Sequence, residues 1–362
     1  MVAVGVIGGG QLARMTAQAA LLLGIEVGIL PTSMDDPAIK FASYIAENLT
    51  DLVHRSNVIT FENEFCDLAL LNNWAEQGVR FYPRLDSLAI LVDKYRQRSF
   101  LTECNLPTPQ YVLVTDRIDP ICQKLTFPLV MKSCRQGYDG KGTTIISNLD
   151  HLKTAWDQTP AILETFIDFE QELAIMITRS VTGEISLFPV VETEQIDRVC
   201  RRVIAPARIS GAVKSTIENI ATQIVNQLDY IGILGIEFFL TKDGQILVNE
   251  MAPRPHNSGH YTIEGCVTSQ FSQLLRSILG MPLGATNMVS PVAIMVNLLG
   301  LAISEYDYQQ RLLRLQQLSQ IHVHWYDKQP RPGRKLGHVT VLGDSYDSAL
   351  PIAKTIEGIW YS

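Results

Sequence analysis

The sequence predicts a mixed α/β and α+β chain, with a doubly wound parallel unit first and hairpin-bearing antiparallel units after it. Three observations carry the prediction. Residues 2–7 form an apolar run, Gly8-Gly9-Gly10-Gln11 opens a helical pattern that stops at Gly24, and 25–30 is a second apolar run, a βαβ opening. Asp243-Gly244 lies between two alternating apolar runs, a strong short-range hairpin signal. After about residue 286 the texture changes, and short alternating strands such as 322–326 appear.

Composition narrows the function. A chain of 362 residues suits two or three domains. The formal net charge is −7 and the basic residues are not massed in runs, which argues against nucleic-acid binding by phosphate neutralisation. The apolar stretch 17–30 is interrupted by Gln18, Gly24 and Glu26, so no membrane span is expected. The six cysteines are scattered without a C-x-x-C pair, and the N-terminus lacks a basic leader region. A cytoplasmic protein with reduced thiols is the plain expectation.

In chain order, the Gly8–Gly10 turn puts glycines where a backbone can approach an anion at a helix N-terminus. Its spacing also fits a dinucleotide fingerprint. The second strand ends in Leu30-Pro31, without the acid that would hold a ribose, which speaks against an NAD-linked oxidoreductase. A strand at 58–61 ends in Glu62-Asn63-Glu64, carboxylates that are either solvated or set in a ligand crevice. A helix at 67–77 and a short strand at 79–83 complete a unit of residues 1–88. An amphipathic helix at 88–103 carries Asp93, Lys94, Arg96 and Arg98. A strand at 127–132 ends on Lys132, followed by Gly137-Tyr138-Asp139-Gly140-Lys141-Gly142 and a return strand from Thr143. That is a flexible hairpin or a phosphate holder, in which loop amides close over phosphate oxygens and the lysine adds a point charge. Strands at 161–167, 173–177, 188–194 and 201–206 follow, then a helix at 216–228. The apolar 161–167 segment suits a flat base, and the acid Glu172 suits ribose hydroxyls.

The hairpin comes next. With Asp243 and Gly244 as a two-residue turn, Phe239 faces Val248 and Glu237 faces Glu250. Bare facing carboxylates destabilise a sheet, so the pair is either solvated or bridged by a divalent cation. Arg254, His256 and His260 follow at once. A helix at 262–279 with Gly280 as its stop, a strand at 292–299 and a helix at 307–318 lead to strand 322–326. Lys328, Arg331, Arg334 and Lys335 form a basic turn, a solvated tip or a phosphate site.

Five motifs add up to a family. They are Gly8-Gly9-Gly10-Gln11-Leu12, the Gly137 to Gly142 loop, Asn249-Glu250 through His260, Thr268-Ser269-Gln270-Phe271, and Arg331 through His338. With them the chain resembles the ATP-grasp enzymes, and within these the 5-(carboxyamino)imidazole ribonucleotide synthases of purine biosynthesis. The resemblance implies an N-terminal doubly wound domain (1–88), a central ATP-grasp domain (89–285) with a hinged lid at about 118–172, and a C-terminal β-rich domain (286–362). It implies carboxylation of 5-aminoimidazole ribonucleotide by bicarbonate with ATP, through carboxyphosphate and with Mg2+. It also implies a homodimer. Carried over by position, Lys94, Lys132, Gly137, Tyr138, Asp139, Gly140, Lys141, Gly142, Thr143, Glu164, Phe166, Ile167, Glu172, Gln195, Asn249 and Glu250 would meet ATP. Glu237 and Glu250 would hold the metal, and Arg254, His256, Asn257, Ser258 and Gln270 the bicarbonate or its phosphorylated form. Gly10, Gln11, Glu62 or Glu64, Tyr138, Asp139, Lys328, Arg331 and Arg334 would contact the ribonucleotide. Gln195 stands where the family commonly has histidine, and Ala13 and Tyr261 also depart from its pattern. A sister ligase such as formate-dependent glycinamide ribonucleotide transformylase would share the ATP machinery and differ from Arg254 to His260.

Overall fold

Two sheets and a third, small sheet meet around one crevice in the computed structural model, which describes residues 3–64, 66–115, 125–135, 142–196 and 199–362. The first sheet is parallel, with strand order Tyr44–Ile45, Glu26–Leu30, Ala3–Ile7, Val58–Phe61. The order reverses beside Ala3–Ile7, so the turn after that strand and the acids after Val58–Phe61 share one switch point, where open α/β sheets bind ligands. Gly10 lets the two approach closely: a Cβ on it would force the Glu62 carboxylate to move. Helix Gln11–Leu23 ends at Gly24 in the left-handed conformation, φ 66°. Its small buried face, Ala13, Ala17 and Ala20, belongs to the same core as helix Gln270–Leu279. That packing ties the first unit to the second.

The second sheet is antiparallel and long. Its path runs Ile246–Ala252, Gly232–Thr241, Phe169–Arg179, Val191–Ile196, Val199–Ala205, Val292–Leu299, Lys335–Gly343, Ile321–Trp325, with Ile185–Leu187 paired beside it. The C-terminal strands therefore continue the ladder of the central ones. Helices Glu305–Gln316 and Tyr346–Tyr361 cover one face of these strands, and the second of them had no counterpart in the sequence reading. The third sheet has the order Tyr111–Val114, Ala161–Thr165, Leu129–Ser133, Thr143–Ile146. Among the described residues no helix is long and apolar enough to cross a membrane.

Four expectations need correction. The helix at 88–103 is two helices, Leu85–Leu91 and Lys94–Glu103, because Asp93 accepts from the amides of Tyr95 and Arg96 and starts a new helix. The helix at 262–279 is likewise split into Thr262–Gly265 and Gln270–Leu279, the second capped by Ser269. The strand at 79–83 is reduced to one bridge, Ile59 to Phe81. The Asp243-Gly244 turn is longer than two residues: Thr241 and Gln245 close it, with Gly244 at φ 84°. Phe239 therefore faces Leu247 and not Val248.

Candidate active site

Glu237 does face Glu250, although the turn that was to place it is one residue longer. Leu240, Phe239 and Phe238 face Ile246, Leu247 and Val248, after which the register shifts and Glu237 meets Glu250. Asn249 is the extra residue, a β-bulge that re-aims side chains at a strand edge. The bulge sends Asn249 and Glu250 to the same site. Asn249 Oδ1 accepts from Lys132 Nζ at 3.1 Å, and its Nδ2 donates to Glu237 at 3.3 Å. Glu250 pairs with Lys94 Nζ at 3.1 Å. Lys94 reaches it from the first turn of the helix that Asp93 starts.

Arg98 holds the bulge from behind. Its Nη2 donates to the Asn249 carbonyl at 2.7 Å, Nη1 to the Val248 carbonyl at 3.3 Å, and Nε to Glu164 at 2.5 Å. Glu164 uses its other oxygen on Lys132 at 2.8 Å. Burial alone would raise the Glu164 carboxyl, but Lys132 and Arg98 override it and hold it at about 2. Burial pushes the Lys132 ammonium down against the pull of Glu164, and Arg98 and Lys94 add to the lowering. Burial, then the nearby Glu237, pushes Glu172 up to about 7, while Gln195 hydrogen-bonds it.

After the hairpin, Arg254 pairs with Glu64 at 2.9 Å and so joins the two units across the crevice. His256 Nδ1 meets Ser258 Oγ at 2.8 Å, and its Nε2 lies 3.6 Å from Glu237. Gln270 clasps this loop: its Oε1 accepts from the His256 amide and its Nε2 donates to the His256 carbonyl, both at 2.9 Å. A Cβ on Gly259 would come within 2.5 Å of that side chain.

These groups enclose a cavity of about 600 Å3. Of the residues to which the resemblance assigns a contact, it is lined by Gln11, Glu62, Glu64, Lys132, Thr143, Glu164, Phe166, Ile167, Glu172, Gln195, Glu237, Asn249, Glu250, Arg254, His256, Asn257 and Ser258. Lys94 and Gln270 stand behind that lining; Gln270 is fully buried and holds backbone. Lys328, Arg331 and Arg334 lie beyond it, although Lys328 Nζ donates to Gln11 at 2.7 Å. Gly142 is at φ 78°; Gly137, Tyr138, Asp139, Gly140 and Lys141 fall outside the described residues. Three participants were missed. Lys335 lines the cavity, and Phe169 and Phe239 stack in its wall at 4.8 Å between ring centroids. Lys335 was read only within the basic turn 328–335, as a solvated tip or a phosphate contact, and was not placed in this cavity. Nothing local marks the two phenylalanines.

Residues 1–92 match the ribonucleotide synthetase preATP-grasp domain, 99–271 the ATP-grasp domain, and 293–351 the phosphoribosylaminoimidazole carboxylase C-terminal domain. The chain is 44% identical to the N5-carboxyaminoimidazole ribonucleotide synthase of Synechocystis sp., over 99% of this chain and 98% of that one. The enzyme of that name from Synechococcus elongatus is also 44% identical, over 99% and 95%. The solved structure of N5-carboxyaminoimidazole synthase from Aspergillus clavatus with ADP and 5-aminoimidazole ribonucleotide has a TM-score of 0.92 at 30% identity, covering 99% and 98% of the two chains.

Proposed function

The chain belongs to the N5-carboxyaminoimidazole ribonucleotide synthase family of ATP-grasp ligases, and from that membership we propose how its own residues divide the reaction. It is an ATP-dependent carbon–nitrogen ligase of purine biosynthesis that carboxylates 5-aminoimidazole ribonucleotide with bicarbonate, releasing ADP and phosphate. This reading replaces the sister-ligase and oxidoreductase alternatives. One observation carries the division of roles: a single cavity is lined by Gln11, Glu62 and Glu64 of the first unit, Lys132 of the small sheet, Asn249 and Glu250 of the long sheet, and Arg254, His256, Asn257 and Ser258 of the loop after it.

On the ATP side, Lys132, Lys94, Asn249 and the Gly137 to Gly142 loop hold phosphate oxygens. Phe166 and Ile167 flank the base, and Glu172 and Gln195 meet the ribose. Glu164 acts on ATP through Lys132, since both of its oxygens are already used. Glu237 and Glu250 fit magnesium. They are facing oxygen donors; burial and then Glu250 push Glu237 up, while burial of Glu250 is outweighed by Lys94 and Lys132, which hold it low, so it is at Glu237 that a further positive charge would act. Among the described residues no cluster of three or more ligands forms, and magnesium commonly takes one or two carboxylates plus substrate phosphates. Bound there, it would supply Lewis-acid neutralisation of phosphate charge.

Arg254, His256, Asn257 and Ser258 receive bicarbonate and its phosphorylated form, a species that must be kept from water. The ribonucleotide lies toward Gly10, Gln11, Glu62 or Glu64, Tyr138 and Asp139, with its phosphate near Lys328, Arg331 and Arg334. Burial, then the charge of Arg331, lowers the Arg334 guanidinium from its ordinary value, a pairing that an anion would relieve. The domain limits 1–88, 89–285 and 286–362, the lid, the homodimer and a cytoplasmic location belong to the same reading.

The test is phosphate release from ATP and bicarbonate, with and without 5-aminoimidazole ribonucleotide. The ribonucleotide should stimulate turnover; if it does not, the substrate assignment is wrong. Arg334→Ala should raise KM for the ribonucleotide by about tenfold and KM for ATP by less than about twofold. Equal effects would remove the phosphate contact.

A further inference from the structure

We propose that Asn297 is a positioning residue for the bicarbonate step and acts through Asn257. The inference rests on the reading of Asn257 as a bicarbonate contact. Asn297 sits on Val292–Leu299, the strand at which the C-terminal segment joins the long sheet, and it is fully buried. Its neighbours on the same face, Ala293 and Met295, are core residues. A buried amide is not needed there for packing, and it is costly unless hydrogen-bonded.

Asn297 is hydrogen-bonded at both ends of its amide. Its Nδ2 donates to the Cys200 carbonyl at 2.9 Å and to Asn257 Oδ1 at 2.8 Å, and its Oδ1 accepts from Asn257 Nδ2 at 2.8 Å. The two side-chain amides thus form a reciprocal pair. The Cys200 carbonyl can only accept, so it fixes which end of Asn297 is the amino group. That choice fixes which end of Asn257 is which. Asn257 opens the short turn Asn257–Gly259, where no regular ladder orients a side chain, and it lines the cavity. With one N–H and one lone pair committed to Asn297, its remaining N–H and lone pair are held in a set direction.

The strand itself is braced at the end of the chain. Tyr361 Oη donates to the Asn297 carbonyl at 2.6 Å and accepts from the Leu299 amide at 3.1 Å, while Trp360 Nε1 donates to the Leu299 carbonyl at 2.8 Å. A residue of the C-terminal segment thereby sets the orientation of a group in the central cavity.

Asn297→Asp and Asn297→Leu in the full-length enzyme test this. A protonated aspartic acid reproduces the pair with Asn257, its C=O accepting from Asn257 Nδ2 and its single O–H donating to Asn257 Oδ1, though the Cys200 carbonyl loses its donor. An ionised one sets oxygen against oxygen. Burial raises the pKa of such a group, so Asn297→Asp should recover activity relative to the native enzyme as pH falls from about 8 to about 6. Asn297→Leu should raise KM for bicarbonate by about tenfold at every pH and move KM for ATP by less than about twofold. Asn257→Ala should raise KM for bicarbonate as well, and the double variant Asn257→Ala/Asn297→Leu should be no worse than Asn257→Ala alone. A pH profile for Asn297→Asp parallel to the native one overturns the proposal, even if the leucine variant does not fold. Equal shifts in both KM values for Asn297→Leu overturn it too. If Asn257→Ala leaves KM for bicarbonate unchanged, the reading of Asn257 itself is wrong. If Asn257→Ala raises it and Asn297→Leu does not, only the role of Asn297 is.

Discussion

Glu237→Gln is expected to lose ATP-driven turnover by about 10³-fold, as the magnesium role proposed for Glu237 requires, and yet, without divalent cation, to outlast the native chain at neutral pH. Burial and then the facing Glu250 hold the Glu237 carboxyl up at about 7, against an ordinary value of 4.5. Between those values the folded state keeps a proton that the unfolded chain has lost. Stability contributed by that proton is full below 4.5 and falls as pH rises through about 7. Glutamine has the same shape and cannot titrate, so its curve lacks this fall. A divalent cation bound by the pair should return stability to the native chain far more than to the variant. Denaturation midpoints from about pH 5 to 8, with and without magnesium chloride, read the effect beside steady-state turnover. Native activity in the variant, or parallel stability curves, would remove both the metal role and the like-charge account.

Arg98→Met should destabilise the fold by about 3–5 kcal/mol, the usual consequence of breaking a buried ion pair from one side. Arg98 is 2% exposed, and its guanidinium holds Glu164 and the carbonyls of Val248 and Asn249. Without it, Glu164 keeps Lys132 alone, and two backbone acceptors of the bulge lose their donor. KM for ATP should rise by about tenfold as Lys132 and Asn249 lose their setting. Arg98→Lys keeps the charge and lacks the planar fork, so it should fall between. Urea titration and ATP kinetics check the two halves separately. A fully stable methionine variant would refute the buried-pair argument, and an unchanged KM would refute the link to Lys132.

These two residues also mark what could be read from the chain. Glu237 was legible because hairpin periodicity and charge expose a facing carboxylate pair. Its placement nevertheless came out right by two compensating shifts: a longer turn and the bulge at Asn249. The bulge has no local signature, since its carbonyl is held by Arg98, 151 positions away in sequence. Arg98 in turn looked no different from Arg96 on the same helix. Helix stops at Gly24 and Gly280 were readable because left-handed caps favour glycine, whereas Asp93 and Ser269 were passed over as interior residues of longer periodic runs. Side chains that carry chemistry stand in dense polar motifs. Side chains that aim them are scattered and defined only by contact.

The uninterrupted ladder from Ile246–Ala252 to Ile321–Trp325 has a mechanical consequence. Glu237, Asn249 and Asn297 ride on one stiff beam, and bending it would break rows of backbone hydrogen bonds. The small sheet with Lys132 and Glu164 shares no ladder with that beam. It is joined to it by residues 166–168 and by side-chain bonds such as Lys132 to Asn249. Separation along that seam leaves both ladders intact, and its chief cost is the buried Arg98–Glu164 pair together with the Lys132–Asn249 bond. A nucleotide held as proposed, with its base beside Phe166 and Ile167 and its phosphates at Lys132 and Asn249, would span that seam and tie the two sheets together.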